Sequence, residues 1–248
     1  MTNRIPPNHP RFTSLRTRQK LVDGLKKGLV VPNGLIAHGR GEAFDYLLGE
    51  QTSKTALYAE KVASCLLLLS KSPVISVNGN LAALCSKEIV ELSRCTNASI
   101  EVNLFHRSQK RSEVIAKTLI RDGANAVLGI DPKSKFVIKD LTSDRRFVDK
   151  RGILSADTVF LAMEDGDRTE VLTSQGKTVV SVDLNPLSRT AQSSDVTIVD
   201  NVIRAIPNMI LFATELSNKE RYELSTVVSE FDNKSNLAQA TRLIRYGV

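Results

Sequence analysis

Apolar residues in the first part of the chain recur three and four positions apart, with Leu15, Leu21, Val22 and Leu25 in one stretch and Ala56, Ala59, Val62, Ala63, Leu66 and Leu67 in another. That spacing puts each set on one helical face and predicts helices over 13–27 and 52–71. The first ends in Lys26-Lys27-Gly28, a cationic last turn and a glycine stop, and Thr52 is the expected N-cap of the second. Residues 33–41, with glycines at 34, 39 and 41, are expected to form a loop before a short helix over 42–48.

From residue 73 the rhythm changes. Short apolar runs at 73–77, 100–104, 126–130, 158–163, 178–183 and 195–199 alternate with helical stretches, and three helices follow the last run, near 201–215, 218–230 and 236–245. Six β-rich runs separated by helices predict an α/β, doubly wound, Rossmann-like fold with a mostly parallel six-stranded sheet. Residues 1–71 then make an N-terminal helical segment packed on the same globular unit as a nucleotide-binding domain spanning 72–248. Nothing repeats at a period of 20–50 residues.

Composition sharpens the picture in one place. The chain carries 34 Lys+Arg against 27 Asp+Glu, and residues 1–40 hold the whole excess: eight basic side chains against Asp23 alone. A local basic arm points to a phosphorylated small molecule rather than a nucleic-acid-coating surface. Twelve aromatics, with Phe12 alone near that arm, leave little stacking surface for single strands. Cys65, Cys85 and Cys95 make no CxxC pair and His9, His38 and His106 lie far apart, so no disulfide framework or protein-held metal is expected. The longest apolar run, 62–69, is far short of the roughly 20 residues that span a bilayer. No secretory signal is evident, and a cytoplasmic location is expected.

In doubly wound sheets ligands bind beyond the carboxyl ends of the strands, so the residues after each run matter most. Asn78-Gly79-Asn80 follows the first run; it either holds an anion at a helix start or caps that helix. Glu101 and Asn103 alternate on one side of the second run, with Arg107 beyond; they face either a ligand or water at a sheet edge. Glu164-Asp165-Gly166-Asp167 offers three carboxylates that either bind Mg²⁺ or an amine, or cap a helix. Asp183-Leu184-Asn185 with Arg189 and Thr190 suits ribose and phosphate, and Asp200-Asn201 suits a base or sugar edge. His38, Arg40 and Glu42 stand together among the glycines of 34–41.

These strings resemble the archaeal phosphopantothenate synthetases, also called 4-phosphopantoate–β-alanine ligases. The resemblance runs through His9-Pro-Arg11, Ser14-Leu-Arg16 with Arg18, the stretch from Gly34 to Tyr46, Pro73 to Asn80, Glu101 to Phe105, Glu164 to Thr169, Asp183 to Thr190 and Ile198 to Asn201. It implies a homodimeric, Rossmann-like enzyme of coenzyme A biosynthesis that joins 4-phosphopantoate to β-alanine. ATP with Mg²⁺ would be consumed to AMP and pyrophosphate through a phosphopantoyl adenylate. It places ATP contacts on Arg18, Arg40, Asp183, Leu184, Asn185, Arg189, Thr190, Asp200 and Asn201. Charge and strand position suggest Asn78, Gly79, Asn80, Asn103 and Arg107 for the acid substrate, and Glu101, Asp165 or Glu42 for the β-alanine ammonium. Arg40, His38, Glu42 and Asp165 are the expected catalytic groups. The rival from another class is a non-catalytic nucleotide-binding regulatory module. An NAD-dependent oxidoreductase is disfavoured by the absence of a glycine fingerprint after the first run.

Overall fold

A computed structural model describes residues 5–247, so Arg4 of the basic arm lies outside the described residues. Three helices come first: α1 (Phe12–Lys26), α2 (Pro32–Leu48) and α3 (Lys54–Leu69). Then follow β1 (Pro73–Val77), α4 (Gly79–Thr96), β2 (Ser99–Val102), α5 (Gln109–Arg121), a hairpin of β3 (Lys135–Val137) and β4 (Phe147–Asp149), and β5 (Thr158–Ala162). The chain closes with α6 (Gly166–Ser174), β6 (Thr178–Val182), α7 (Arg189–Ser193), β7 (Val196–Ile198), α8 (Val202–Leu216), α9 (Arg221–Ser229) and α10 (Asn233–Tyr246). Among the described residues no helix is long and apolar enough to cross a membrane.

Five strands, not the six expected, pair in parallel in the order β2-β1-β5-β6-β7. The run at 126–130 reaches the sheet edge only through Leu128, whose backbone bonds Ile100 and Val102 at 2.8 and 3.0 Å. Gly129, at φ +82°, then turns the chain off the sheet where a Cβ would strike the Val102 carbonyl. Strand order reverses between β1 and β5, the switch point where such sheets open a crevice.

Alternation assigns the two sheet faces. Ile75, Phe160, Val180 and Ile198 join the main core under α3, α4, α5 and α8, together with Leu21, Leu29 and Val30 from the first helices. Val74, Val159, Leu161 and Val179 face the other way and pack on the hairpin's Ile138, Leu141 and Val148 and on Leu172 of α6. That second face also buries Ser76, Glu101, Ser181 and Thr197, so it admits polar side chains that bring their own partners.

Two local expectations need correction. Residues 33–41 are not a loop, because α2 starts at Pro32, a favoured first helical position, and runs unbroken through all three glycines. Gly34 is small for packing: a Cβ there would overlap the Asn80 carboxamide, which donates to the Gly34 carbonyl at 2.8 Å. The N-cap of α3 is Ser53, whose hydroxyl accepts from Ala56 N at 3.1 Å; Thr52 bonds elsewhere.

Candidate active site

A cleft of about 1260 Å³ lies at the carboxyl edge of the sheet, over the ends of β5, β6 and β7 and under α2. Of the residues singled out in the sequence, His38, Arg40, Glu164, Asp165, Asp167, Asp183, Leu184, Asn185, Arg189, Thr190, Asp200 and Asn201 line it. Their placement follows from three strand ends. After β6, Asp183 ties the loop to itself, accepting from Asn185 N at 2.9 Å and from the Ser188 hydroxyl at 2.5 Å. Ser188 also caps α7, which presents Arg189 and Thr190 to the cleft. Burial raises the Asp183 carboxyl above its usual range, against the Ser188 hydrogen bond and the charge of Arg40.

After β7, Asp200 and Asn201 form the neighbouring wall. Arg204 clamps Asp200 Oδ1 through Nε at 3.0 Å and Nη2 at 2.5 Å, and reaches Asp45 of α2 at 2.8 Å. Asn201 donates to the other Asp45 oxygen at 3.1 Å. Helix α2, the carrier of His38 and Arg40, is thereby fastened across the cleft. Burial pushes the His38 imidazole below its usual range, and its Nε2 is buried without a partner.

After β5, Met163 adopts a left-handed φ of +52°, uncommon for a bulky side chain, and swings Glu164 and Asp165 out of the strand line. Glu164 then sits between two buried arginines: Arg145 Nε lies 2.7 Å from Oε1 and Arg168 Nη1 2.5 Å from Oε2. Arg145 also bonds Asp165 at 2.9 Å, while Arg168, fully buried, reaches Ser76 at 3.2 Å. Two cations face two anions, the balance a dry cluster needs. Asp165 remains partly open to the cleft, and its carboxyl is raised by burial.

The other chosen residues are not in the cleft lining. Asn78 caps α4 through Leu81 N and donates to the Ala162 carbonyl at 2.7 Å, bridging the crevice at the switch point. Gly79 lies so close to the Leu29 carbonyl that a Cβ would not fit, and Asn80 holds Gly34. Glu101, fully buried, accepts from Asp149 N at 3.0 Å and Ile153 N at 2.7 Å. Asn103 donates to the carbonyls of Arg145 and Phe147, and Arg107 to those of Phe147 and Gly129. These three pin the hairpin excursion against the end of β2. Glu42 is occupied by Arg18, at 2.7 and 2.9 Å, and that hydrogen bond holds its carboxyl below the usual range.

Sequence reasoning missed Arg145, Arg168, Arg204, Thr142 and Ser143. Arg168 had a signal, since it stands four residues after an acid at a strand end. The others are brought in by the excursion and by α8. Thr142 and Ser143 line the cleft opposite β7, and the Ser143 hydroxyl is buried without a partner. Among the described residues no three His, Cys, Asp or Glu side chains gather to hold a metal.

Residues 55–247 match the family model described as phosphopantothenate/pantothenate synthetase. A 4-phosphopantoate--beta-alanine ligase of Methanosarcina mazei is 48% identical over 236 residues, 95% of this chain and 92% of that protein. The Thermococcus kodakarensis protein of the same name is 49% identical over 242 residues, 97% of this chain and 92% of its own. One from Methanospirillum hungatei is 49% identical over 216 residues, 87% of each. With a cleft that gathers the expected nucleotide residues other than Arg18, which pairs with Glu42 outside it, and a match that covers most of its length, the chain belongs to the phosphopantothenate/pantothenate synthetase family.

Proposed function

We propose that this protein is an ATP-dependent ligase of coenzyme A biosynthesis that condenses 4-phosphopantoate with β-alanine to 4′-phosphopantothenate, releasing AMP and pyrophosphate. The observation that carries this reading is the single cleft joining Asp183–Thr190, Asp200–Asn201 and Arg40 on one side to Asp165, Thr142 and Ser143 on the other. It has room and suitable groups for a nucleotide beside a small phosphorylated acid.

The nucleotide takes the β6–β7 side. Asp183 and Asp200 supply acceptors for sugar and base, while Arg40 and Arg189 face the phosphates. Attack of the acid's carboxylate on the α-phosphorus gathers negative charge, which Arg40 offsets in the transition state. Mg²⁺ needs only one or two protein carboxylates beside the phosphates, and Asp167 on the cleft wall fits that demand. Bound there, it would neutralise phosphate charge. The residues do not call for a covalent enzyme intermediate, because the amine itself displaces AMP from the adenylate.

The acid and the amine take the opposite side. Phe105 offers an apolar surface, and Thr142 and Ser143 offer hydroxyl donors. Of the three acids considered for the ammonium, only Asp165 lines the cleft; Glu101 is shut behind the hairpin and Glu42 is paired with Arg18. His38, held neutral by burial, is placed to accept a proton as the amine becomes a nucleophile. A cytoplasmic homodimer belongs to the same reading, with the exposed Ile36 and Leu47 of α2 as the contact surface.

The test is a mixture of protein, Mg·ATP, 4-phosphopantoate and β-alanine, with nucleotide products resolved by chromatography and each substrate omitted in turn. AMP and pyrophosphate are expected only when both organic substrates are present. ADP would replace the adenylate by an acyl phosphate, and no turnover would overturn the ligase in favour of a binding module.

A further inference from the structure

Behind the nucleotide wall runs a chain of hydrogen bonds that starts at a carboxyl group with no access to solvent. Glu60, on α3, is completely buried. Its Oε2 accepts from the Asn208 amide at 2.9 Å, and its Oε1 has no partner. The same amide nitrogen lies 3.4 Å from Thr52 Oγ1, and the Thr52 hydroxyl donates to Asp200 Oδ2 at 2.6 Å. The other Asp200 oxygen is filled by Asn201 N and by Arg204. Four side chains from α3, its entry turn, α8 and the end of β7 therefore form one line.

The chemistry of the groups gives the line a direction. A threonine hydroxyl carries one proton, so it can serve Asp200 only if its remaining neighbour is a donor. Asn208 is that donor when its NH₂ faces Thr52. Turned over, its carbonyl would compete for the Thr52 proton and would set oxygen against the Glu60 Oε2 that now accepts. The acceptor on Glu60 thus selects the orientation of Asn208, and Asn208 selects that of Thr52. Thr52 in turn fixes the plane of the Asp200 carboxylate, whose Oδ2 takes no other hydrogen bond among the described residues. Burial raises the Glu60 carboxyl to about 8, and with its proton on the unpartnered Oε1 the Oε2 oxygen is left to accept from Asn208, so the line does not end in a second anion behind Asp200.

We propose that Glu60 and Asn208 are positioning residues that, through Thr52, orient the Asp200 carboxylate for the nucleotide. The proposal rests on the assignment of Asp200 to ATP made above. It predicts a change in nucleotide affinity without a matching change in the chemistry or in binding of the acid. A residue that merely filled space would instead lower stability and turnover together.

Steady-state KM for ATP and for 4-phosphopantoate, kcat and Tm would be measured for the parent and for Asp200→Asn, Thr52→Val, Thr52→Ser, Asn208→Leu, Glu60→Leu and Glu60→Gln. Thr52→Val removes one hydrogen bond to a charged group and should raise KM for ATP about tenfold. Asn208→Leu and Glu60→Leu should raise it by about fivefold by the same reasoning, with partial loss of orientation. Thr52→Ser and Glu60→Gln keep donor and acceptor and should stay within twofold of the parent, and KM for 4-phosphopantoate should not move in any variant. If Asp200→Asn raises KM for ATP while Thr52→Val does not, the relay is overturned and the nucleotide assignment stands. If Asp200→Asn itself is silent, the nucleotide assignment falls and the relay with it. Should Glu60→Leu fail to fold, Thr52→Val, an isosteric change on a half-buried residue, still decides.

Discussion

The two flanks of the sheet's carboxyl edge use the same residue types in opposite ways. At the ends of β6 and β7, Asp183, Asn185, Asp200 and Asn201 line the cleft. At the end of β2, Glu101, Asn103 and Arg107 turn inward and spend their hydrogen bonds on the backbone of residues 129–153. The difference lies in what packs over each strand end. β2 and β6 are each followed by a helix within a few residues, but the long excursion between α5 and β5 folds back over the end of β2, and its polar backbone must be satisfied there. A polar residue at a strand end therefore serves the ligand only where its own chain makes no prior demand.

The largest effect should come from breaking the inward-facing flank. Glu101→Ala leaves two buried backbone N–H groups without an acceptor and should cost about 4 kcal/mol of stability. Denaturant unfolding checks this, and KM for ATP in the folded fraction should hold within twofold. Next comes the cleft flank: Arg40→Ala should depress kcat by roughly two orders of magnitude with Tm nearly unchanged, because Arg40 is exposed and, on the proposed mechanism, its charge is needed only as negative charge develops. An Arg40→Ala enzyme within twofold of the parent would remove it from the chemistry.

A smaller effect is a pH signature. Burial raises Glu101 to about 7, above its unfolded value, so the folded state holds this proton more tightly. Stability linked to Glu101 is thus full below the ordinary carboxylate range and is lost as pH rises through about 7. The Tm of the parent minus that of Glu101→Gln should shrink from pH 4.5 to 7 and stay level above it; a constant difference would contradict the buried placement. The smallest change sits on α2. Nothing lies within 4 Å of a Cβ added at Gly39, so Gly39→Ala should stabilise the helix by up to about 1 kcal/mol. If the phosphates approach the backbone there, KM for ATP rises in the same variant.

Much of this architecture was legible from periodicity. Strands 73–77 and 178–182 and the helices after 108 stand close to where the apolar spacing put them. The sixth strand was not, because an apolar run such as 126–130 does not say whether it finds an edge to pair with, and Gly129 ends the pairing after one residue. The helix through 33–41 was hidden by glycines whose purpose at 34 is close packing against Asn80, not a turn. In the cleft lining, Asp183 directly after β6 and Asp200 just after β7 were readable from their strand-end positions. Ser143 and Arg145 arrive from the excursion and Arg204 from α8, and only the folded chain brings them to the strand ends that the sequence pointed to.

The division into a ligand-facing flank and a self-bonded flank can be tested by amide hydrogen exchange, followed peptide by peptide with and without saturating Mg·ATP. Protection should rise over 38–45, 183–190 and 200–204, while 101–107 and 131–137 keep the same exchange rates. New protection confined to 101–107 and the hairpin, with 183–190 unchanged, would place the nucleotide on the wrong flank for this account.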